Sequence, residues 1–206
     1  MAIPPICSRA WYGPAFRFAP RRQRGARGAV RGSSTFRLIT FDELLAHPNC
    51  PDRTRELRRP ETLPLNRGEI TADWKPFGIE RTLPDGTKRR IFCPGFEADC
   101  GTEAIQRTVL QGSSIYRKLV EYNEVIDDKI HERHFGVHSF LVPFITTSKT
   151  RMHNMIAKTK IAGHPEHFVF TYLEGFNDYE RVPEPHADFL TMNWDRDTGP
   201  FSFADF

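Results

Sequence analysis

The chain has 206 residues, of which 39% are hydrophobic and 27% are charged, so it is long enough for one core with irregular segments beside it. It contains no run of about 18 apolar residues, which excludes a membrane-spanning helix, and its composition excludes a collagen, a coiled coil and a disulfide scaffold. The formal net charge of +3 is divided unevenly, because residues 1–37 hold eight Arg and no acid and carry +8, while the remainder carries −5.

The N-terminal segment, residues 1–69, is predicted to be an irregular Arg- and Pro-rich arm that ends in a linker. The four prolines before residue 21 argue against an amphipathic helix. Acid-free, Arg-rich segments bind polyanions through phosphate contacts, which makes Arg21, Arg22 and Arg24 candidate nucleic-acid contacts. A disordered leader, a transit-like segment and a region translated from a wrongly chosen start codon are the alternatives.

The first regular elements are a short helix and a hairpin. The helix runs from Phe41 to His47 with Thr40 as its N-cap, and a polar linker with several prolines follows it. Two strands, Ile70 to Thr82 and Lys88 to Cys100, are joined by the turn signal Pro-Asp-Gly. Two strands with such a short connection predict a hairpin.

The order of the elements predicts the fold class. Within residues 70–175, the hairpin is followed by helix Ser113–Phe135, strand Ser139–Thr147, helix Ser148–Lys160 and strand His167–Leu173. A hairpin followed by β-α-β units predicts an α/β core whose mixed sheet is flanked by helices. Residues 176–206 are predicted to be an irregular, aromatic and acidic tail whose aromatic side chains dock onto the core.

Acidic residues at strand ends are the feature that indicates chemistry. Asp73 lies near the start of the first hairpin strand, and Glu97 and Asp99 lie at the end of the second. The period of two places Glu97 and Asp99 on one face of the strand, and a hairpin can bring Asp73 beside them. Converging carboxylates need a cation, and hard oxygen ligands suit Mg²⁺ or Mn²⁺. We therefore expect a metal site that activates water or stabilises a phosphoryl oxygen.

Basic side chains on the following helix are placed to assist that chemistry. Lys118 could orient the attacking water, while Arg117 and Tyr122 could contact phosphate. The alternative interpretation is structural: strand-end acids often sit in turns or cap helices, and a helical lysine is more often a solvated surface residue.

The histidines offer a second metal hypothesis. His131, His134 and His138 are spaced by three and four residues near a helix end, which could suit a transition metal, but no Cys or acid completes the set. The other histidines show no ligand spacing. The sequence also lacks a G-x-S-x-G elbow, a P-loop and a G-x-G-x-x-G motif.

The run from Glu97 to Glu103, E-A-D-C-G-T-E, resembles the E-x-D-x-G-T-E signature of the replication-relaxation family of plasmid, phage and mobile-element proteins. The similarity continues through Ser113–Leu119 and Tyr122 into the strand Phe140–Ser148 and Arg151, and it spans residues 70–160. That family is similar to the restriction-endonuclease-like folds of the PD-(D/E)xK type.

The resemblance implies a restriction-endonuclease-like core in which Asp73 takes the first acid position and Glu97 the second. It also implies DNA as the partner, with replication proteins as further partners, and it adds Arg151 to the nucleic-acid contacts. The chain departs from the pattern in two places: Ala72 precedes Asp73 where the family usually has Pro, and Asp99 replaces the strand lysine. Lys118 is then the candidate for a migrated lysine, and the winged helix usual in the family is missing.

Three functional hypotheses follow. The first is a DNA-associated protein of a mobile element that cleaves phosphodiesters with Mg²⁺ or Mn²⁺ held by Asp73, Glu97 and Asp99. The second is a non-catalytic DNA- or partner-binding module with the same fold, and the third is a truncated family remnant.

Compartment and assembly are indicated only weakly by the sequence. The four cysteines form no C-x-x-C pair and there is no secretory segment, so a cytoplasmic protein with free thiols is expected. No membrane association is expected, and nothing in the sequence supports a homo-oligomer.

Overall fold

The computed structural model describes residues 34–107, 113–173, 190, 192–204 and 206, and Arg21, Arg22 and Arg24 lie outside them. The described part is mixed α/β, with three sheets and five α-helices. The strands are β1 Thr35–Ile39, β2 Leu63–Leu65, β3 Gly68–Ile70, β4 Phe77–Thr82, β5 Lys88–Cys93, β6 Glu97–Ala98, β7 Val142–Thr146, β8 Phe168–Tyr172, β9 Trp194–Arg196 and β10 Gly199–Phe201. The α-helices are α1 Phe41–Ala46, α2 Asp52–Arg55, α3 Ile115–Asp127, α4 Ile130–Phe135 and α5 Lys149–Ala162. No helix in these ranges is long and apolar enough to cross a membrane.

The predicted hairpin is present as β4 and β5, which pair antiparallel. Its turn is closed by the Asp85 side chain, whose Oδ1 accepts a hydrogen bond of 2.8 Å from the Thr87 amide. Both strands are shorter than predicted. Residues 71–76 leave the extended path before β4, and the second strand is interrupted at Pro94 and Gly95 before β6 begins. Proline has no amide hydrogen to donate to a sheet, which explains the break at Pro94.

The predicted β-α-β units form a five-stranded sheet with the order β10-β9-β8-β7-β6. Strands β6, β7 and β8 are parallel, and α3 and α5 make the two crossovers. Ser114 and Ser148 cap these helices by accepting hydrogen bonds from the amides of Arg117 and Arg151. The single helix predicted to reach Phe135 is divided, because Lys129 adopts a left-handed conformation with φ of 50° between α3 and α4.

The five-stranded sheet is buried on both faces. Its first face carries Phe144 and Phe170, which lie in one hydrophobic cluster with side chains of α3 and α5 such as Leu119 and Met152. The second face carries Ile145 and Val169, which lie in another cluster. The remaining members of that second cluster come from the hairpin, from the segments that flank β6 and β7, and from the C-terminal segment, and the largest are Phe77, Phe96, Trp194 and Phe203.

The C-terminal segment is more regular than the predicted irregular tail. Strands β9 and β10 form an antiparallel hairpin that extends the sheet at β8. Trp194 and Phe203 are fully buried, so the expectation that the tail aromatics dock onto the core is confirmed for these two side chains. Strands form here because burial of the aromatic side chains stabilises the segment, although its composition is rich in Asp.

The N-terminal segment also departs from the prediction, because residues 35–70 contain three strands and two helices instead of an irregular arm and linker. Strand β1 pairs with β4 along its whole length and completes the three-stranded sheet β1-β4-β5. The predicted cap of α1 is confirmed: the Thr40 and Glu43 side chains form a reciprocal capping box. In the expected linker, Leu63 and Thr54 are buried, and the Thr54 hydroxyl donates to the His134 carbonyl at 2.5 Å.

Free thiols are predicted for all four cysteines. Cys50 and Cys93 are buried free thiols, which confirms the prediction for these two. Cys100 is disulfide-bonded, so the prediction is wrong at that position. Cys7 lies outside the described residues.

Gly95 is one of two described positions, with Gly136, where the backbone leaves no room for a side chain. Its φ is +143°, and a Cβ atom there would lie 2.0 Å from the Trp74 carbonyl oxygen. Gly86 also has a positive φ, +85°, but no atom within 4 Å of its Cβ position. We expect Gly86→Ala to lower the free energy of unfolding by about 1 kcal/mol and Gly95→Ala by at least about 3 kcal/mol. Urea unfolding of both variants measures this difference, and equal losses would contradict the close approach.

Candidate functional site

One lysine lies among three carboxylates beside the short strand β6. The Lys118 Nζ atom is 2.8 Å from Glu97 Oε2, 3.4 Å from Glu103 Oε2 and 3.8 Å from Asp73 Oδ2. We call these four residues the lysine–carboxylate cluster. The cluster unites residues that are far apart in sequence and that come from a loop, a strand, a second loop and a helix.

Glu97 reaches the cluster because of its register in the sheet. It lies opposite Phe144 of β7, and Phe144 belongs to the sheet face that α3 covers. Lys118 and Tyr122 are four residues apart on α3, so both side chains lie on one side of the helix. Lys118 donates to Glu97 Oε2, and the Tyr122 hydroxyl donates to Glu97 Oε1. The carboxylate of Glu97 is therefore held at both oxygens.

Asp73 is brought to the cluster by a loop and not by strand pairing. The Ala98 amide donates a 2.9 Å hydrogen bond to Asp73 Oδ2, and the Trp74 amide donates a 3.2 Å bond to the Phe96 carbonyl. These two bonds attach residues 71–76 to the backbone around β6. The predicted approach of Asp73 and Glu97 is thus present, since both lie within 3.8 Å of the same ammonium group.

The environment of the cluster raises the pKa of both Glu97 and Lys118. Burial raises the pKa of Glu97 to about 7, although the Lys118 ammonium opposes this and Asp73 adds to it. Burial alone lowers the pKa of Lys118, but the carboxylates of Glu97, Asp73 and Glu103 outweigh burial and raise it above its ordinary value. Lys118 is therefore a protonated cation at neutral pH, and Glu97 titrates near neutrality.

Tyr122 lies beneath the cluster as a neutral hydrogen-bond donor. Burial, followed by the charge of Glu97, raises the pKa of its hydroxyl well above the ordinary value. The side chain is completely buried, so it contacts Glu97 and the core. The structure does not place it where a surface phosphate could touch it.

Asp99 is separated from the cluster by its own ion pair. Its Oδ1 accepts hydrogen bonds from Arg151 Nη2 at 2.7 Å and from the Gly101 amide at 3.2 Å. Its Oδ2 accepts one from the Thr146 hydroxyl at 2.5 Å and another from Arg151 Nε. Both oxygens of Asp99 therefore accept hydrogen bonds within the protein, although this carboxylate was expected to complete a metal site with Asp73 and Glu97.

The third acid near Lys118 is Glu103, which the sequence interpretation did not include. Its signal was available, because Glu103 is the last residue of the E-x-D-x-G-T-E run. Among the described residues, the one group of three metal-ligand side chains with ligand atoms within 4.8 Å of one another is His164, Glu166 and His167. Asp73, Glu97 and Asp99 do not form such a group.

The expected nucleic-acid contacts fall into three classes. Arg117 is exposed and forms an i,i+4 ion pair of 2.7 Å with Glu121. Arg151 is mostly buried and donates to Asp99 and to the Glu103 backbone carbonyl. Tyr122 is buried, as described above. Of the contacts within the described residues, Arg117 is the one whose side chain faces solvent.

An open groove of about 260 Å³ lies beside the cluster, and Lys118 is the member of the cluster that lines it. Its charged lining residues are the basic Lys118 and Arg117 and the acidic Glu69 and Glu121. The groove gives an extended polar ligand access to the partly exposed ammonium of Lys118.

The histidine hypothesis does not hold at the predicted positions. His131 Nδ1 contacts the Val125 carbonyl at 3.3 Å, and His134 Nε2 contacts the Pro60 carbonyl at 2.8 Å. Burial is the main cause that lowers the pKa of both rings, so they are neutral core side chains. His138 is exposed and lies 3.5 Å from Glu132 instead.

Comparisons with protein-family models, with curated proteins and with solved structures find no match to this chain.

A pH-dependent stability follows from the buried Glu97. Its carboxyl has an ordinary pKa of 4.5 in the unfolded chain and a pKa of about 7 in the fold, so the folded state binds more protons between these values. Stability therefore falls as the pH rises through this window. The glutamine of Glu97→Gln cannot lose a proton. We therefore expect the free energy of unfolding of this variant to rise relative to that of wild type, by on the order of 1–3 kcal/mol, as the pH is raised from 4.5 to 8.

Urea unfolding in the presence of a chelator, from pH 4.5 to pH 8, measures this difference. The matched control is Glu56→Gln, which removes an exposed carboxylate outside the cluster. A pH profile of Glu97→Gln that runs parallel to that of wild type would contradict the raised pKa of Glu97.

The Asp99–Arg151 pair should stabilise the fold. Because removal of one member leaves a buried charge unpaired, Asp99→Asn and Arg151→Met should each destabilise by about 3–5 kcal/mol. A double-mutant cycle should give a coupling energy above about 1 kcal/mol. The exposed Arg117–Glu121 pair is the control, with an expected coupling below about 0.5 kcal/mol. Equal coupling energies for the Asp99–Arg151 and Arg117–Glu121 pairs would contradict the structural role of Asp99.

Proposed function

We propose that this protein is a DNA-associated, Mg²⁺-dependent phosphodiester hydrolase whose site is the lysine–carboxylate cluster. The observation that carries the proposal is the position of Lys118, whose ammonium lies within 4 Å of Asp73, Glu97 and Glu103 and beside an open groove. An acid that titrates near neutrality next to a fixed cation is typical of a reactive centre more than of a surface ion pair.

The donor set of the cluster fits a hard divalent cation. Asp73 and Glu97 offer carboxylate oxygens, which Mg²⁺ and Mn²⁺ prefer as ligands, and Glu103 adds further negative charge. With the acids ionised, three carboxylates face one ammonium, so the cluster carries an excess of negative charge that a metal would neutralise. Asp73 and Glu97 would hold the ion, which would polarise a phosphoryl oxygen and a bound water.

Lys118 acts as a cation in this proposal and not as a general base. Its raised pKa keeps it protonated, so it can donate a hydrogen bond to the attacking water or to a non-bridging phosphate oxygen. Tyr122 is a positioning residue, because its hydroxyl fixes the orientation of the Glu97 carboxylate. Lys118 thereby supplies from α3 the cation that the resemblance expects at the position of Asp99.

The arrangement around the cluster also supports the restriction-endonuclease-like interpretation of the fold. A hairpin precedes β6, which carries the acid Glu97, and the crossover helix α3 leads to the parallel strand β7. On the resemblance to replication-relaxation proteins, we propose DNA of a mobile element as substrate and replication proteins as partners. Arg117 at the groove would contact the phosphate backbone.

Cleavage assays on plasmid and on single- and double-stranded oligonucleotides test the proposal. With Mg²⁺ or Mn²⁺, we expect wild type to cleave at least one of these DNA forms. Asp73→Asn, Glu97→Gln and Lys118→Met should each lower the rate at least about 100-fold while retaining cooperative unfolding, because each removes a group that binds the metal or the reacting phosphate. The exposed Glu56→Gln is the matched control and should keep the wild-type rate. Undiminished cleavage by Glu97→Gln would overturn the assignment.

A non-catalytic DNA-binding module is the second candidate. It is favoured by one specific observation: Lys118 already neutralises part of the acidic charge and Asp99 is bound by Arg151, so both groups have structural partners. DNA binding that survives EDTA and falls steeply with salt, without nicking, would support it. The same result would contradict the hydrolase.

A further inference from the structure

A second polar cluster lies at the other end of α3, in the turn between α5 and β8. It consists of His164, Glu166 and His167, and Asp127 at the C-terminal end of α3 contacts it. Lys118 and Asp127 are nine residues apart, which corresponds to about 13 Å along the helix. The two clusters are therefore separate sites.

Both imidazole rings lie near the Glu166 carboxylate. The distance from Glu166 Oε1 to His164 Nδ1 is 3.6 Å, and the distance from the same oxygen to His167 Nε2 is 3.8 Å. One ligand atom from each residue lies within 4.8 Å of the others. Ligand atoms of a tetrahedral zinc site, with bonds of about 2.0–2.1 Å, lie about 3.3 Å apart, so only a small contraction would be needed.

The outer hydrogen bonds fix which nitrogen of each ring has a free lone pair. His164 Nε2 lies 2.7 Å from Asp127 Oδ1, and His167 Nδ1 lies 2.7 Å from the Phe140 carbonyl oxygen. Both oxygens only accept hydrogen bonds, so these two nitrogens carry the protons. The lone pairs of the neutral rings are then on His164 Nδ1 and His167 Nε2, the atoms that face Glu166.

This arrangement matches the outer contacts of known metal-binding histidines. A ligating histidine almost always donates its other N–H group to a carboxylate or a backbone carbonyl, which fixes the ring and raises its basicity. Here one histidine has the carboxylate and the other has the carbonyl. The partly exposed side chains leave room for solvent to complete the coordination.

We propose that His164, Glu166 and His167 bind a divalent transition-metal ion such as Zn²⁺, through two imidazole nitrogens and one carboxylate oxygen. Imidazole donors select such metals over Mg²⁺, so this site is chemically distinct from the lysine–carboxylate cluster. The metal would bind side chains of the α5–β8 turn, and the contact of His164 with Asp127 would connect that turn to the end of α3. The proposal does not depend on the proposed function.

The competing interpretation is a metal-free network in which a protonated His164 pairs with Asp127 and Glu166. Titration of the full chain, without a polyhistidine tag, with Zn²⁺ by calorimetry and with Co²⁺ by visible absorption distinguishes the two. We expect a saturable site that persists in the Asp73→Asn background, with Co²⁺ d–d bands and without a thiolate charge-transfer band.

Variants assign the site to these residues. His164→Gln and His167→Gln should each weaken binding at least about 100-fold, whereas Asp127→Asn, which removes only the outer partner, should weaken it about 10–100-fold. The exposed His153→Gln is the matched control and should bind as wild type does. Glu97→Gln should also bind Zn²⁺ normally, so failure of the two proposals can be distinguished.

Chelated samples provide the check on folding. All variants should show a cooperative unfolding transition in EDTA, and Zn²⁺ should raise the stability of wild type but not that of His164→Gln. Absence of binding by wild type, binding unchanged in both histidine variants, or a thiolate band would overturn the proposal.

Discussion

The burial of the Glu97 carboxylate is the constraint on which the arrangement of this protein depends. A carboxylate that is 1% exposed is expensive to ionise unless donors replace the lost water. Lys118 and Tyr122 supply those donors from one side of α3. The crossover helix must therefore pack on the sheet face that carries Glu97, and Asp73 must approach from a loop that Gly95 allows to lie close. The packing of α3 on the sheet and the geometry of the lysine–carboxylate cluster both follow from the burial of the Glu97 carboxylate.

Glu97 of β6 and Asp99, which follows the end of that strand, have different environments, and they therefore have different roles. Asp99 is surrounded by four donors and is balanced by a two-pronged contact with Arg151. Glu97 shares a single ammonium with Asp73 and Glu103, so its charge is compensated only in part. Burial raises the pKa of Glu97, and the Lys118 ammonium offsets this only in part, so the ionised cluster keeps an excess of negative charge.

The sequence predicts those parts of the molecule that depend on local periodicity and turn chemistry. The β4–β5 hairpin, the two crossovers and the Thr40 cap of α1 belong to this class. The role of Asp99 could not be predicted, because period two gives the face of a side chain but not its partner, and Arg151 is 52 residues away. The partner histidines His164 and His167 were missed because their ligand geometry depends on contacts with Asp127 and Phe140, which no spacing rule contains. The strands and helices of residues 35–70 were missed because the buried positions there are scattered among charged ones.

The central claim is that the lysine–carboxylate cluster binds a hard divalent cation. Titration with Mn²⁺, followed by the loss of the free-ion signal in electron paramagnetic resonance, tests it directly. The measurement is best made in the His164→Gln background, which removes the second candidate metal site. The account predicts one saturable Mn²⁺ site that disappears with Asp73→Asn, although the variant remains folded. Absence of saturable binding, or binding unchanged by Asp73→Asn, would contradict the account and leave the cluster as a structural ion pair.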